Sequence, residues 1–250
     1  MKDVLLEIRN LKKNYHSDDG ELLAIDDLNL DVYKNEIVAI VGPSGCGKST
    51  LLSVLTNLEE KTGGVINLYG NDRIGYMLQS DSLFPWLNIL DNCLIGLEVT
   101  GEKTKENIEM VIGLLEKYGL SEFKDKYPSS LSGGMRQRVA LIRTLATNPS
   151  LLLLDEPYSA LDYQTRLALS NDMYKIIKGE EKTAIMITHD IAEAISMADR
   201  IIVLTKRPAK VKKIYDIQLE NKKTPIDNRR DSMFNYYYDK IWRDLDVHVL

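Results

Sequence analysis

Short apolar runs rich in Val, Ile and Leu recur along the chain and are separated by more polar stretches. Several runs are apolar at every position rather than at alternate positions, a pattern typical of strands buried on both faces of a parallel sheet. We therefore predict strands at 4–8, 37–41, 65–68, 151–154, 184–187 and 201–204.

Segments with helical spacing of apolar residues lie between these strands. Ile108, Val111 and Leu115, for example, fall on one face of an amphipathic helix. The alternation of strands and helices predicts an α/β fold in which crossover helices join parallel strands. The predicted helices cover 48–58, 107–118, 132–146, 163–177 and 191–197.

The length favours a single domain over 1–250, because 250 residues can bury a core without covalent cross-links. Two of the predicted helices indicate a helical subdomain set into the sheet domain over roughly 91–149. The tail at 206–250 is less patterned, although the aromatic run 236–242 predicts a terminal helix. Its basic stretch 206–213 is interpreted as a solvated strand edge in preference to a surface facing lipid head groups.

The charge balance argues against nucleic acid as a partner. The chain has 32 basic and 37 acidic residues and a net charge of −5, whereas nucleic-acid binding depends on clustered Lys and Arg. Its two cysteines, Cys46 and Cys93, have neither metal-ligand nor disulfide-framework spacing. No apolar run approaches the roughly 20 residues of a membrane-spanning helix, and the first residues lack the pattern of a signal peptide. We expect a cytosolic protein that acts at a membrane only through a partner.

The strongest motif lies where the strand at 37–41 runs into a glycine-rich loop and then a helix. The loop reads GPSGCGKST, the Walker A pattern, in the strand, loop and helix context that supports it over a mere glycine-rich turn. Glycines let backbone N–H groups approach phosphate oxygens, Lys48 would reach the β- and γ-phosphates, and Ser49 would ligate Mg²⁺. The predicted ATP-binding residues of the loop are Gly42, Pro43, Ser44, Gly45, Cys46, Gly47, Lys48, Ser49 and Thr50.

Polar residues with catalytic chemistry follow two other predicted strands. Asp155 and Glu156 come directly after the strand at 151–154, where Asp155 would hold Mg²⁺ through water and Glu156 would polarise the attacking water. His189 follows the strand at 184–187 and should emerge at the same sheet edge, where its imidazole can hydrogen-bond the γ-phosphate. A single acidic residue or His after a strand is usually structural, and it is the shared edge that predicts a catalytic site.

A second phosphate-binding element is predicted at the start of the helix at 132–146. In LSGGMRQR, Ser132 and the glycines after it offer a capping hydroxyl and exposed backbone N–H groups. Because the chain already has a Walker A loop, this element needs either a second nucleotide or a second protein chain. The rest of the sequence favours a second chain.

Taken together, these motifs resemble the ATP-binding subunit of ABC transporters along nearly the whole chain, with LSGGMRQR similar to the family signature. The resemblance implies a RecA-like P-loop NTPase core with N-terminal antiparallel strands and an inserted helical subdomain. It also implies that two chains sandwich two ATP molecules head to tail. The residues it adds are Ser132, Gly133 and Gly134 on the γ-phosphate of the partner's ATP, Tyr15 stacking on adenine, Gln79 reaching Mg²⁺ and the water, and Asp162 crossing the dimer interface. For Tyr15 the alternative is an exposed side chain after a strand.

Within the family, the segments 83–92, 155–166 and 188–211 resemble importers of the nitrate, sulfonate and taurine group. Tyr158 stands where that group usually has Phe, and the stretch 70–79 is short for it, so importers of thiamine precursors or riboflavin stay open as alternatives. Rival classes are a soluble ABC ATPase without a transport role, a small P-loop GTPase or kinase, and a non-enzymatic regulatory module. They are disfavoured by the lack of coiled-coil insertions and zinc cysteines and by the presence of LSGGMRQR, Glu156 and His189.

The resemblance further implies an ATP-hydrolysing subunit at the cytoplasmic face of the membrane. Its partners would be integral permease subunits and, indirectly, an extracellular or periplasmic solute-binding protein. The bridge to the permease is predicted beside Gln79, where an apolar groove can receive a short helix. The residues of this apolar cluster are Leu83, Phe84, Pro85 and Trp86. The alternative is that Phe84 and Trp86 pack inside the helical subdomain.

Overall fold

The computed structural model describes residues 3–17, 20–159, 161–220 and 222–245, and their strands form two sheets. The strands are β1 (Val4–Ser17), β2 (Gly20–Tyr33), β3 (Ile37–Val41), β4 (Gly63–Leu68), β5 (Ile74–Met77), β6 (Leu151–Asp155), β7 (Thr183–Ile187), β8 (Arg200–Leu204) and β9 (Val211–Asp216). The larger sheet has the order β5-β6-β7-β3-β8-β9, in which β9 alone runs antiparallel to its neighbour. The smaller, antiparallel sheet has the order β2-β1-β4. The predicted parallel core with N-terminal antiparallel strands is confirmed.

Helices connect most of these strands. They are α1 (Lys48–Leu55), α2 (Ile89–Val99), α3 (Lys105–Lys117), α4 (Gly133–Ala146), α5 (Tyr163–Gly179), α6 (Ile191–Met197), α7 (Pro225–Asn228) and α8 (Phe234–Asp244), with 3₁₀ turns at Ser121–Phe123 and Pro128–Ser130. Sequence patterning anticipates α1 and α3 to α6 with small shifts at their ends. It misses α2, whose apolar residues lie on several sides of the helix and so lack a one-sided stripe.

The strands β3, β6, β7 and β8 of the larger sheet are buried on both faces, as their apolar runs predict. Along β3, Ile37, Ala39 and Val41 belong to one hydrophobic core, while Val38 and Ile40 belong to another. The first core also contains residues of α2 to α6 and α8. The second contains residues of α1 and of the strands β1 and β2. A central sheet covered on both sides fixes the position of every loop that leaves its carboxyl edge.

The helices α2, α3 and α4 pack together through buried residues such as Cys93, Val111 and Val139. Each begins at a side-chain cap, respectively Asn88, Thr104 and Ser132, whose oxygens accept hydrogen bonds from backbone N–H groups of the first turn. α2 begins at Ile89, slightly ahead of the predicted subdomain boundary. The assignment of 91–149 as a separate subdomain stays a prediction.

Sequence patterning misses β2, β5 and β9, and β2 and β9 share one reason. In β2 the buried residues Leu28, Leu30 and Val32 alternate with more exposed polar ones, and in β9 most residues are exposed. Such half-buried antiparallel strands lack the continuous apolar run that marks the central strands. β9 places part of the basic stretch 206–213 at an exposed sheet edge.

The described part of the tail ends in α8, which packs on the first core and contacts β9. Phe234, Tyr237 and Ile241 are buried in the first core, and the hydroxyl of Tyr215 in β9 donates a hydrogen bond to the carboxylate of Asp244. In the described ranges, none of the helices has both the length and the apolar character needed to cross a membrane.

Candidate functional site

The loop between β3 and α1 takes a shape that requires glycine. Gly45 and Gly47 have φ angles of +70° and +120°, in the region that disfavours other residues. A Cβ on Gly47 would lie 3.0 Å from the carbonyl oxygen of Ala24 and 3.2 Å from the Cβ of Ala209. Gly47 is also the N-cap of α1 and provides no side-chain acceptor for the first-turn N–H groups. Those donors are therefore open to an anion.

The Lys48 side chain is folded back onto this loop. Its Nζ donates hydrogen bonds to the carbonyl oxygens of Gly42 at 2.7 Å and Pro43 at 3.0 Å. These contacts hold the ammonium beside the α1 N-terminus, so both sources of positive potential face the same space. Cys46 is buried beneath the loop, and burial raises the pKa of its thiol. A buried thiol of this kind is unreactive and serves as a packing residue.

The edge of the sheet brings Glu156 and His189 into contact. Pairing of β6 with β7 places Asp155 beside Ile187, and the backbone N–H of Glu156 donates to the Ile187 carbonyl at 2.9 Å. Glu156 has a φ of +42°, a left-handed conformation that is uncommon for a non-glycine residue and concentrates at functional sites. Its Oε2 lies 3.1 Å from Nδ1 of His189. A carboxylate and an imidazole thus meet at the sheet edge where the Walker A loop, residues 42–50 and called the P-loop below, begins.

Asp155 is half-buried at the same edge. Burial raises the pKa of its carboxyl, and the neighbouring charge of Glu156 acts in the same direction. The hydroxyl of Tyr76 in β5 donates to Asp155 Oδ2 at 3.2 Å. Burial, helped by the charge of Asp155, raises the pKa of Tyr76 to about 12, so this phenol stays a hydrogen-bond donor at neutral pH. The Tyr76 hydroxyl therefore fixes the orientation of the Asp155 carboxylate.

The P-loop and the sheet edge enclose a cavity of about 530 Å³. Tyr15 lines it, with its hydroxyl 3.5 Å from Thr50 Oγ1 and its ring 4.6 Å from the Lys13 ammonium. Glu156 and His189 line it as well. Its lining consists of Tyr15, Leu22, Ala24, Ser44, Gly45, Gly47, Lys48, Ser49, Thr50, Glu156, His189 and Arg207. The structure thus brings together an aromatic ring, the P-loop and the two candidate catalytic residues.

The predicted signature lies outside this cavity. Of the described residues that line the cavity, none belongs to the segment 132–134. Ser132 is exposed and caps α4, with its Oγ accepting from the Met135 N–H at 3.3 Å. Asp162 is likewise exposed and caps α5. Gln79 donates from Nε2 to Ser159 Oγ at 3.0 Å, which links the loop after β5 to the loop after β6.

A polar group behind His189 was not anticipated from the sequence. Asp190 caps α6, and Arg166 in α5 lies 3.5 Å from its carboxylate and 3.6 Å from that of Glu193. The hydroxyl of Thr188 donates to the buried Glu193 at 2.7 Å. Arg166 also donates to the carbonyl of Leu161 at 3.3 Å. The pattern Asp190-x-x-Glu193 ahead of an apolar run resembles a capping box. This spacing is the feature of the sequence that could have revealed the polar group.

Fold and site together define a P-loop nucleotide-binding ATPase. Residues 25–159 match the family model described as ABC transporter. An uncharacterized ABC transporter ATP-binding protein, YtlC of Bacillus subtilis (strain 168), is 43% identical over 248 residues, which cover 96% of this chain and 95% of that one. The chain belongs to the ABC transporter family and is an ATP-binding subunit, an ATPase coupled to transport.

Relatives with named cargo have similar degrees of identity. The taurine import ATP-binding protein TauB of Jannaschia sp. (strain CCS1) is 38% identical and covers 90% of this chain and 86% of its own length. The formylaminopyrimidine import ATP-binding protein ThiZ of Halalkalibacterium halodurans is 41% identical over 184 residues, covering 74% of each chain. Among solved structures, the dimeric ATP-binding cassette MJ0796 bound to ADP and Pi is 30% identical with a TM-score of 0.71, covering 86% of this chain and 99% of that chain.

Proposed function

We propose that this chain powers the import of a small solute, by closing as a dimer around two ATP molecules and hydrolysing them beneath a membrane permease. The observation that carries the catalytic part is the contact between Glu156 and His189 at 3.1 Å, at the end of the P-loop cavity. A general base must lie within hydrogen-bond reach of the water it activates and be oriented by a neighbour. Glu156 is the proposed base, and His189 is the proposed γ-phosphate ligand that positions the water.

The cavity orders the remaining roles along the nucleotide. Tyr15 would stack on adenine through its π-face. The open N–H groups of the P-loop and Lys48 would bind the phosphates, since Lys48 can exchange its two carbonyl partners for phosphate oxygens. Gln79 would reach the attacking water from the loop after β5.

Mg²⁺ fits the oxygen donors at this site. The described residues contain no group of three or more His, Cys, Asp or Glu side chains placed to hold a metal ion. Mg²⁺ is usually bound by one or two protein oxygens together with substrate phosphates, and the Ser49 hydroxyl and Asp155 carboxylate are of that type. Gln79 is the third proposed oxygen donor. When bound, the ion would neutralise charge on the β- and γ-phosphates.

The exposed signature supports a head-to-tail dimer as the working unit. Ser132, Gly133 and Gly134 form a capped helix start with phosphate-binding chemistry, yet they lie away from the cavity of their own chain. In a dimer they would complete the partner's site, and the exposed Asp162 would lie across the same interface. ATP would favour the closed dimer because it contacts both halves only there.

The apolar cluster of residues 83–86 supports docking onto a permease at the cytoplasmic face. Trp86 is 70% exposed and Phe84 36% exposed, and their rings lie 5.3 Å apart. The alternative in which both pack inside the helical region is wrong for Trp86. Leu83 is buried and anchors the cluster, while Asn92 of α2 holds its backbone by accepting from the Phe84 N–H and donating to the Phe84 carbonyl. A fixed, exposed aromatic pair is suited to receive a short helix.

Trp86→Ala should uncouple hydrolysis from transport. Truncating an aromatic anchor at an interface costs about 2 kcal/mol or more, so solute uptake should fall at least about tenfold while ATP hydrolysis by the chain persists. Both rates are to be measured in vesicles containing the chain and its permease. Trp242→Ala in α8 is the matched control and should change neither rate. Unaltered uptake per ATP in Trp86→Ala would contradict the docking role.

The solute is proposed to belong to the nitrate, sulfonate and taurine group, and a thiamine precursor is the competing cargo. The near-equal identity to TauB and ThiZ argues that this subunit does not itself select the solute. The test is ATP-dependent uptake of labelled taurine, nitrate and formylaminopyrimidine into vesicles with the co-purified permease and the solute-binding protein. We expect uptake of one solute, lost in Lys48→Ala. ATP-dependent export, or no ATP-dependent movement of any solute, would contradict the proposed function.

A further inference from the structure

We propose that Arg207, to which none of the motifs described above assigns a role, is a nucleotide-binding residue whose guanidinium contacts the α- and β-phosphates. The assignment rests on the proposed function only in that a nucleoside triphosphate occupies the P-loop cavity. Arg207 belongs to the loop between β8 and β9, and it lines this cavity together with Tyr15 and the P-loop residues. It would supply a third cationic source beside Lys48 and the α1 N-terminus.

Strand pairing brings this loop to the cavity. β8 lies parallel to β3, with Val203 beside Val41, so the chain leaves both strands at the same edge of the sheet. The two loops touch at their bases, since a Cβ on Gly42 would lie 3.1 Å from the Cβ of Leu204. The loop after β8 is therefore a direct neighbour of the P-loop.

Backbone pairing with β2 fixes the loop. Ala209 donates from its N–H to the Ala24 carbonyl at 2.8 Å, and its carbonyl accepts from the Asp26 N–H at 3.1 Å. Lys210 adds an ion pair with Asp26 at 2.7 Å. Inside the loop, Thr205 donates to the Pro208 carbonyl at 2.9 Å. Arg207 is thus carried on an ordered backbone, which lowers the entropic cost of using it to bind a ligand.

The guanidinium of Arg207 has no hydrogen bond or ion pair with any other described residue, and its side chain is exposed. Other cations of the same basic stretch are engaged, since Lys210 pairs with Asp26 and Lys213 with Asp244. An arginine fork presents donors that match phosphate oxygens in pairs. A free guanidinium at the wall of a phosphate-binding cavity therefore favours an anionic ligand.

The position of Ala209, which fixes the loop to β2, indicates which phosphates Arg207 contacts. Ala209 is a neighbour of both Ala24 and Gly47, because its N–H donates to the Ala24 carbonyl and a Cβ on Gly47 would be 3.2 Å from the Cβ of Ala209. Gly47 is the N-cap of α1 and lines the cavity together with Tyr15 and Glu156. With adenine on Tyr15 and the γ-phosphate beside Glu156, as proposed above, the α- and β-phosphates would lie at this helix start, next to the loop that carries Arg207.

Arg207→Gln tests the assignment, with Lys206→Gln as the matched control. Lys206 is exposed and adjacent on the same loop, and it is not among the described residues that line the cavity. The dissociation constants of ATP, ADP and GTP are measured by calorimetry on the full chain. Arg207→Gln should weaken all three by about tenfold, equivalent to about 1.4 kcal/mol, and Lys206→Gln by less than about twofold. Without nucleotide, both variants should have the same melting temperature as the wild-type chain, since neither cation has a hydrogen-bond or ion-pair partner among the described residues to lose.

Three results would overturn the assignment to Arg207. They are an unchanged affinity in Arg207→Gln, a loss for ATP that clearly exceeds the loss for ADP, and a loss for ATP that is absent for GTP. The second result would indicate a γ-phosphate contact and the third a contact with the base. Failure of the wild-type chain to bind ATP would instead overturn the proposed function, and the Arg207 assignment with it. If the wild-type chain binds ATP and Lys48→Ala does not, nucleotide binding in the P-loop cavity is established. The result for Arg207→Gln then tests the Arg207 assignment alone.

Discussion

Replacing Glu156 with Gln should abolish ATP turnover while leaving ATP binding intact. Gln keeps the size of the side chain and can still hydrogen-bond His189 at the observed 3.1 Å contact, but it has no basic oxygen with which to take a proton from water. Loss of a positioned general base typically costs about 10²- to 10⁴-fold in rate. Phosphate release and the dissociation constant of ATP are the two measurements. With hydrolysis blocked, ATP should also hold the dimer closed, which size-exclusion chromatography in ATP would detect.

Glu181→Gln is the control for this substitution. Glu181 is an exposed glutamate that also has a positive φ, +50°, so the same chemical change is made in a similar backbone conformation far from the cavity. Its turnover and its ATP affinity should both equal those of the wild-type chain. If Glu156→Gln hydrolysed ATP at the wild-type rate, Glu156 would not be the base, and His189 would have to take the proton from the water.

Ser132→Arg should separate ATP binding from dimer closure. Ser132 lies outside its own cavity, so ATP should bind with unchanged affinity. In the dimer, the longer side chain would fill the space needed by the partner's γ-phosphate and remove the hydroxyl offered to it. Turnover should fall about 10²-fold or more, the scale of losing a donor to a transition-state oxygen. The ATP-dependent dimer should be lost in size-exclusion chromatography.

Ser129→Arg, an exposed serine just ahead of the signature, introduces the same side chain and should leave closure and turnover unchanged. A sharper test mixes Ser132→Arg chains with Lys48→Ala chains. Each mixed dimer contains one site with an intact Lys48 from one chain and an intact Ser132 from the other, so ATPase activity should reappear on mixing. Absence of recovery would contradict the head-to-tail pairing of Lys48 in one chain with Ser132 of the other.

Sequence patterning recovers β3, β6, β7 and β8 because these strands are buried on both faces. Almost every residue in them is then apolar, and this constraint is visible without a structure. β2 and α2 depend on their neighbours instead: β2 pairs edge to edge with β1 and packs one face on the second core, and α2 packs against α3 and α4. Local spacing carries little information about such partners, so these elements were missed.

The same limit applies to the site. The shared edge of Asp155 and His189 follows from strand order in a parallel sheet, and it was predicted. The direct contact of Glu156 with His189 depends on the register of β6 against β7 and on a left-handed backbone at Glu156, neither of which the local sequence encodes. Arg207 is harder still, because its position depends on pairing between Ala209 and a strand near the start of the chain.

Gln79 is exposed, yet its amide nitrogen already donates to Ser159 Oγ at 3.0 Å. Leaving Ser159 for a new oxygen partner exchanges one hydrogen bond for another, and each is worth only about 0.5–1.5 kcal/mol net. The two arrangements of this side chain should therefore differ little in free energy. Gln79 is suited to act as a reversible contact between the loops after β5 and β6. Its resting and engaged states can then interconvert in every cycle, because neither is much more stable than the other.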